Sequence, residues 1–129
     1  MENYQDDFCD YDKRKIRVDW SNKLWDKHLR KHPELSNQKN TSKLILESIS
    51  KPSIVLTGKR PGDGETLICY YKECKRCKSD VYYIKTVAGC NNNPHYIKTV
   101  FMSWSLYALA IQERKYNFKE IFRDPKTYL

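Results

Sequence analysis

Tyr82-Tyr83-Ile84-Lys85-Thr86-Val87-Ala88-Gly89-Cys90-Asn91-Asn92-Asn93-Pro94-His95-Tyr96-Ile97-Lys98-Thr99-Val100-Phe101-Met102 is the stretch on which the fold turns. Within it the pentapeptide Tyr-Ile-Lys-Thr-Val stands twice, at 83–87 and 96–100. β-branched and aromatic residues flanking a Gly/Asn/Pro cluster predict two antiparallel strands joined by a tight connection. With the turn centred on Asn91-Asn92, Lys85 falls roughly opposite Lys98. Like charges facing each other across a ladder are unfavourable unless something anionic lies between them. The hairpin is therefore expected to present a nucleic-acid-handling face. In this register Tyr83, Lys85, Val87, Tyr96, Lys98 and Val100 share one face. The other, more apolar face holds Tyr82, Ile84, Thr86, Ala88, Ile97, Thr99 and Phe101. A one-residue slip would bring Lys85 onto the face of Ile97 and Thr99.

Upstream of the hairpin, Thr66–Tyr71 and Ser53–Thr57 read as two further strands, which completes a four-stranded antiparallel meander. Between them lies a mobile basic loop, Gly58-Lys59-Arg60-Pro61-Gly62-Asp63-Gly64, and Lys72–Ser79 reads as a charged turn. A helix is expected before Pro52, starting between Ser36 and Ser42, with Leu44, Ile45, Ser48 and Ile49 on its buried face. An earlier helix, capped by Ser21 or Asn22, runs through Lys31 and ends before Pro33. Trp25, His28, Leu29 and His32 share one face of it. Lys13–Trp20 alternates as a short strand or extended lead-in. Downstream, Trp104, Tyr107, Ala108 and Ile111 mark a C-terminal helix, and Phe118, Ile121 and Phe122 a short turn before Pro125. The expected architecture is α+β, with two N-terminal helices packed on a four-stranded antiparallel sheet and followed by a C-terminal helix.

The 129 residues make one domain, and no apolar run approaches the ~20 residues that cross a bilayer. No signal peptide is evident, so a cytosolic protein is expected. Net charge is +8, but residues 1–12 hold five acidic residues and no Lys or Arg, so the rest of the chain carries +13. Such an excess attracts phosphate backbones, and RNA is the expected partner. Residues 1–12 are expected to form a loosely held acidic arm able to lie over a basic groove as a nucleic-acid mimic.

The histidines are the first candidates for chemistry. Metal-independent RNA cleavage needs a base for the 2′-hydroxyl proton and an acid for the leaving 5′-oxygen, and His28 and His32 suit both roles near neutral pH. Taken alone, a packed His28 and a helix-capping His32 explain the same residues. Lys85 and Lys98 on rigid strands would offset the charge of the phosphorane, while Lys59, Arg60, Tyr83 and Tyr96 would bind RNA by charge and by base stacking. The five cysteines, an odd number with no export signal, are expected as free thiols. Cys74, Cys77, Cys90 and His95 have a finger-type spacing, but a strand over Asp80–Ala88 would hold the two pairs about 30 Å apart. No metal or other cofactor is expected.

The order Trp25-x-x-His28-Leu29-x-x-His32-Pro33-Glu34-Leu35, a helix ending at Pro52, Tyr70-Tyr71, Tyr82-Tyr83 and a last strand with Thr99 resembles the small phage and mobile-element nucleases of the barnase–EndoU–colicin–RelE-like superfamily. The resemblance covers roughly residues 16–102. It implies helices on one face of a four-stranded sheet and a metal-independent ribonuclease, often a toxin silenced by an antitoxin or immunity protein. It matches His32, supported by His28, to the catalytic histidine, Thr99 to the hydroxyl of the last strand, and Lys85 or Lys98 to the basic role. The chain departs from it at Thr99-Val100-Phe101, where such proteins tend to place Thr-Ala-Tyr. The products would end in a 2′,3′-cyclic phosphate. The same residues also suit a non-catalytic RNA-binding module, or a zinc-stabilised protein-interaction domain.

Overall fold

A computed structural model describes residues 5–21, 25, 27–28, 31–32, 35, 37–77, 80–103 and 116–127. Their elements are β1 (Gln5–Cys9), β2 (Lys15–Asp19), α1 (Gln38–Ser50), β3 (Ile54–Lys59), β4 (Thr66–Cys77), β5 (Asp80–Gly89), β6 (His95–Ser103) and β7 (Lys119–Arg123). All seven strands join one mixed sheet in the order β1-β2-β6-β5-β4-β3-β7.

This architecture corrects the expected one. The four-stranded meander is present as β3–β6, but three further strands extend it and α1 is the single helix element among the described residues. Trp25, Lys27, His28 and Lys31 have helical backbone. The C-terminal helix expected from Ser103 falls on residues 104–115, outside the described residues. The short turn expected around Ile121 is β7, antiparallel to β3 on the far edge. The acidic arm is, from Gln5, the strand β1, paired with β2 from Gln5↔Asp19 to Cys9↔Lys15. Alternation there is of polar residues with Phe8, so no apolar period marked the strand. Nor is there a turn at 72–77: β4 continues to Cys77 and pairs with β5 along its length.

Asp10 ties β1 to the body. Its Oδ1 accepts from the N–H groups of Asp12 and Arg14, each at 2.8 Å, and its Oδ2 from Arg14 Nη1 at 2.9 Å and Tyr70 Oη at 2.6 Å. A buried carboxylate is tolerated only with such a full set of partners. Acceptance by Asp10, after the larger effect of burial, pushes the Tyr70 hydroxyl well above its usual pKa. Tyr11 then lies 4.7 Å, ring to ring, from Phe122 of β7.

Helix α1 starts where its sequence says it should. Asn37 is extended and its side chain accepts from the Asn40 N–H at 2.9 Å, satisfying one of the orphan donors of the first turn. Thr41, Ile45, Ser48 and Ile49 form the buried stripe. Ser48 Oγ lies 2.6 Å from Thr86 Oγ1 of β5, a buried pair that sets the helix on the sheet. That face holds the larger core, with Ile16, Val18, Val55, Ile68, Ile84 and Val100 beneath Ile45 and Ile49. The opposite face buries Ile54, Leu56, Cys69, Tyr71, Tyr83 and Val87 under Phe118. No helix among the described residues is long and apolar enough to cross a membrane.

Candidate nucleic-acid interface

The site is built where β6 loses its outer neighbour. Its parallel pairing with β2 covers only Ile16↔His95 and Arg17↔Tyr96. Beyond that point the peptide groups of Val100 face away from β5, and His28 meets them. Its Nε2 lies 2.5 Å from the Val100 carbonyl and 3.3 Å from the Val100 nitrogen. One ring nitrogen cannot serve both groups, and the shorter contact fits Nε2–H donating to the carbonyl. Thr99 Oγ1 faces the same ring, 3.3 Å from Nε2 and 3.5 Å from Nδ1.

A β-bulge brings the rest together. Val87 pairs with Thr99 and Ala88 with Ile97, so Lys98 is the extra residue. A bulge turns consecutive side chains to one side, and here it puts Lys98 and Thr99 on the face away from α1. Lys98 Nζ and Tyr96 Oη both donate to the carboxylate of Glu65, which is 5% exposed. Arg60 Nη2 stands 3.4 Å from the same carboxylate. Gly89 makes this cluster possible: a Cβ there would sit 2.7 Å from the Tyr96 ring and 2.8 Å from Glu65 Oε2. The hydrogen bond from Lys98, followed by that from Tyr96, holds the Glu65 carboxyl below the usual carboxylate range against the opposing effect of burial. Burial acts against the charged form of Lys98, but its bonds to Glu65 and Tyr96 outweigh that and raise its pKa.

Around these groups lies a cleft of about 420 Å³, lined by Trp25, Lys27, His28, Lys31, Tyr96, Ile97, Lys98 and Thr99. Three lysines and an imidazole line it, with no carboxylate among those residues. Of the predicted catalytic residues, His28, Lys98 and Thr99 are brought together there, and Tyr96 joins them. His32 is not among the lining residues; its ring stacks on Phe101 at 5.7 Å and lies 4.6 Å from that of His28.

Lys85 does not stand opposite Lys98. It pairs with Phe101 on β6 and lines a different cavity. Two shifts part them: the hairpin pairs Gly89 with Tyr96 and Ala88 with Ile97, a register that already sets Lys85 past Lys98, and the bulge then shifts the side-chain alternation of β6 by one beyond Lys98. Val100 consequently joins the α1 face, while Thr99 and Phe101 join Tyr83 and Lys85 on the other. Of the expected RNA-binding residues, Tyr83 is 0% exposed and offers no ring for stacking. Arg60 is held by Asp63, and Lys59 is exposed at the end of β3.

Glu65, Gly89, Lys27 and Lys31 escaped the sequence reading. Lys27 and Lys31 stand four apart beside His28, a spacing that could have marked them as one face. Nothing in the sequence links Glu65 to residues 31 and 33 positions later. Strand β5 separates Cys74, opposite Tyr82, from Cys90 by eight residues, about 26 Å at ~3.3 Å each, so the two thiols cannot share a metal ion. Among the described residues no three His, Cys, Asp or Glu side chains are grouped to hold a metal. The chain matches no protein family, curated protein or solved structure in comparisons with each.

Proposed function

We propose that this chain binds single-stranded RNA, with the phosphate backbone seated in the cleft and a base against Tyr96. The observation that carries the reading is the convergence of Lys27, Lys31 and Lys98 on a cleft whose lining also includes His28, Thr99 and Tyr96. Cations along a groove neutralise phosphates, and an adjacent aromatic ring stacks a base without regard to sequence. The excess of +13 over residues 13–129 supports a polyanionic partner of this kind.

A specific observation favours a second reading, metal-independent cleavage of the bound RNA. In the neutral imidazole with its proton on Nε2 toward the Val100 carbonyl, Nδ1 is the acceptor nitrogen, 3.5 Å from Thr99 Oγ1. Nδ1 would take the 2′-hydroxyl proton as the 2′-oxygen attacks phosphorus. The bond from phosphorus to the 5′-oxygen then breaks, leaving a 2′,3′-cyclic phosphate. The Lys98 ammonium would offset the phosphorane charge and give its proton to the 5′-oxygen.

Labelled single-stranded RNA incubated with the purified chain in EDTA tests both. Retarded, intact RNA supports binding alone. Fragments ending in 2′,3′-cyclic phosphate, lost in His28→Ala, support cleavage. No retardation and no fragments at 50 mM salt, about the low end at which phosphate contacts are strong, would overturn both.

A further inference from the structure

Strand β2 brings a second set of cations to the flank of Tyr96. Ile16 and Val18 are buried in the core beneath α1, so alternation along the strand turns Lys15 and Arg17 to the opposite face. Ile97 lies in the same core, which puts Tyr96 on the face of Lys15 and Arg17. Arg17 is the direct cross-strand partner of Tyr96 in the short parallel pairing of β2 with β6. Lys98 Nζ stands 5.3 Å from the centre of the Tyr96 ring. Tyr96 therefore has one cation two residues along its own strand and another on the neighbouring one.

Asp7 of β1 engages both β2 cations. It stands across from Arg17 in the β1–β2 ladder and accepts from Arg17 Nε at 2.8 Å and from Nη2 at 3.2 Å. Lys15 Nζ is 3.7 Å from its Oδ2. Two N–H groups of one guanidinium on the two oxygens of one anion is the fork geometry by which arginine also takes a phosphate. The hydrogen bond from Arg17 is the main reason that the Asp7 carboxyl lies below the usual carboxylate range, so it is ionised at neutral pH. The Arg17 and Asp7 side chains are 38% and 36% exposed, and an ion pair this open to water holds weakly. A phosphate delivered as part of a polyanion can displace the carboxylate.

We propose that Arg17 and Lys15 form a second phosphate subsite beside Tyr96, outside the cleft, with the Asp7 carboxylate standing in for the phosphate until RNA displaces it. The inference rests on the RNA reading of the cleft. A base stacked on Tyr96 then has its backbone neutralised by Lys98 on one side and by Arg17 on the other. Asp7 is the built-in competitor, an anion of this chain that RNA must outbid for the same guanidinium.

Fluorescence anisotropy of a short labelled oligouridylate, from about 50 to 200 mM salt, tests the subsite on the intact chain. Arg17→Met should bind more weakly than wild type and lower the slope of log affinity against log salt by about 0.7, one phosphate contact on a single strand. Arg17→Lys should keep that slope, because the charge remains. Asp7→Asn should bind about two- to fivefold more tightly at the low end of the salt range, the size of one exposed ion pair. That gain should be largely lost when Arg17→Met is added. Glu120→Gln, on β7 at the far edge of the sheet, changes the net charge equally and should move affinity less. Wild type that binds no oligouridylate overturns the RNA reading and the subsite with it. Wild type that binds, with an unchanged slope in Arg17→Met or an Asp7→Asn affinity no higher than that of Glu120→Gln, overturns the subsite alone. Where Arg17→Met fails to fold by circular dichroism, Asp7→Asn against Glu120→Gln decides.

Discussion

Replacing Glu65 by Gln removes the negative charge that holds Lys98 and Tyr96 in place. The magnitude follows from exposure. Glu65 is almost fully buried and the Lys98 side chain is 22% exposed. Breaking a buried pair by deleting one partner costs about 3–5 kcal/mol, and a surface pair is worth about 0–1. The cluster lies between these limits, nearer the buried one, so Glu65→Gln should cost about 2–3 kcal/mol. For a domain of this size that is a fall in Tm of roughly 8–12 °C. The sign of the pH dependence follows from the depressed carboxyl of Glu65. Its contribution is present above the unfolded-state value, ~4.3, and is lost as pH falls through the lower folded-state value. Thermal melts of wild type and Glu65→Gln, followed by circular dichroism from pH 7 to pH 3, should therefore differ most at pH 7 and converge below about pH 4. The double variant Glu65→Gln/Lys98→Met should recover stability relative to Lys98→Met alone, which leaves the carboxylate buried without its main partner. Equal Tm values at pH 7, or a gap that persists undiminished to pH 3, would refute the assignment of Glu65 as the anchor of this cluster.

The other expectations concern His28, the aromatic and cationic contacts, and Asp10. His28→Ala leaves the edge peptide groups of Val100 to water, and urea denaturation should show a loss of about 1–2 kcal/mol whether or not RNA is cleaved. Each of Lys27→Met and Lys31→Met should lower the slope of log affinity against log salt for single-stranded RNA by about 0.7, while Lys59→Met leaves it nearly unchanged. Tyr96→Ala should weaken RNA binding by about 1–3 kcal/mol, and Tyr83→Phe should not move it, because that ring is enclosed in the core. Asp10→Ala should cost about 3–5 kcal/mol in chemical denaturation, since Tyr70 and Arg14 both lose their acceptor.

The strands β3 to β6 and the helix α1 were legible because each carries its own local period or cap. The alternation in the Tyr-Ile-Lys-Thr-Val repeat, the turn formers between its copies and Pro52 after the helix are signals contained within a few neighbouring residues. β1 was not legible, since its alternation lacks apolar contrast and the strand is held from outside, by β2 and by Asp10 reaching Tyr70 60 positions away. β7 was misread as a turn for a similar reason: five residues with two charges before Ile-Phe and one after show no period of their own, and the strand exists by pairing with β3.

The amino-acid sequence alone determined the side-chain chemistry of His28, Lys98 and Thr99 and the excess of +13 over residues 13–129. Tertiary structure alone decided their company. The hairpin register parted Lys85 from Lys98, and a single bulge at Lys98 reversed the faces of Thr99, Val100 and Phe101. The short β2–β6 pairing freed the edge that His28 covers, and a glycine at 89 admitted Glu65 beside Tyr96. Side-chain identity and local period are written along the chain. Register across strands depends on where hydrogen-bonded ladders slip by one residue, and that is settled by the packing of both sheet faces at once.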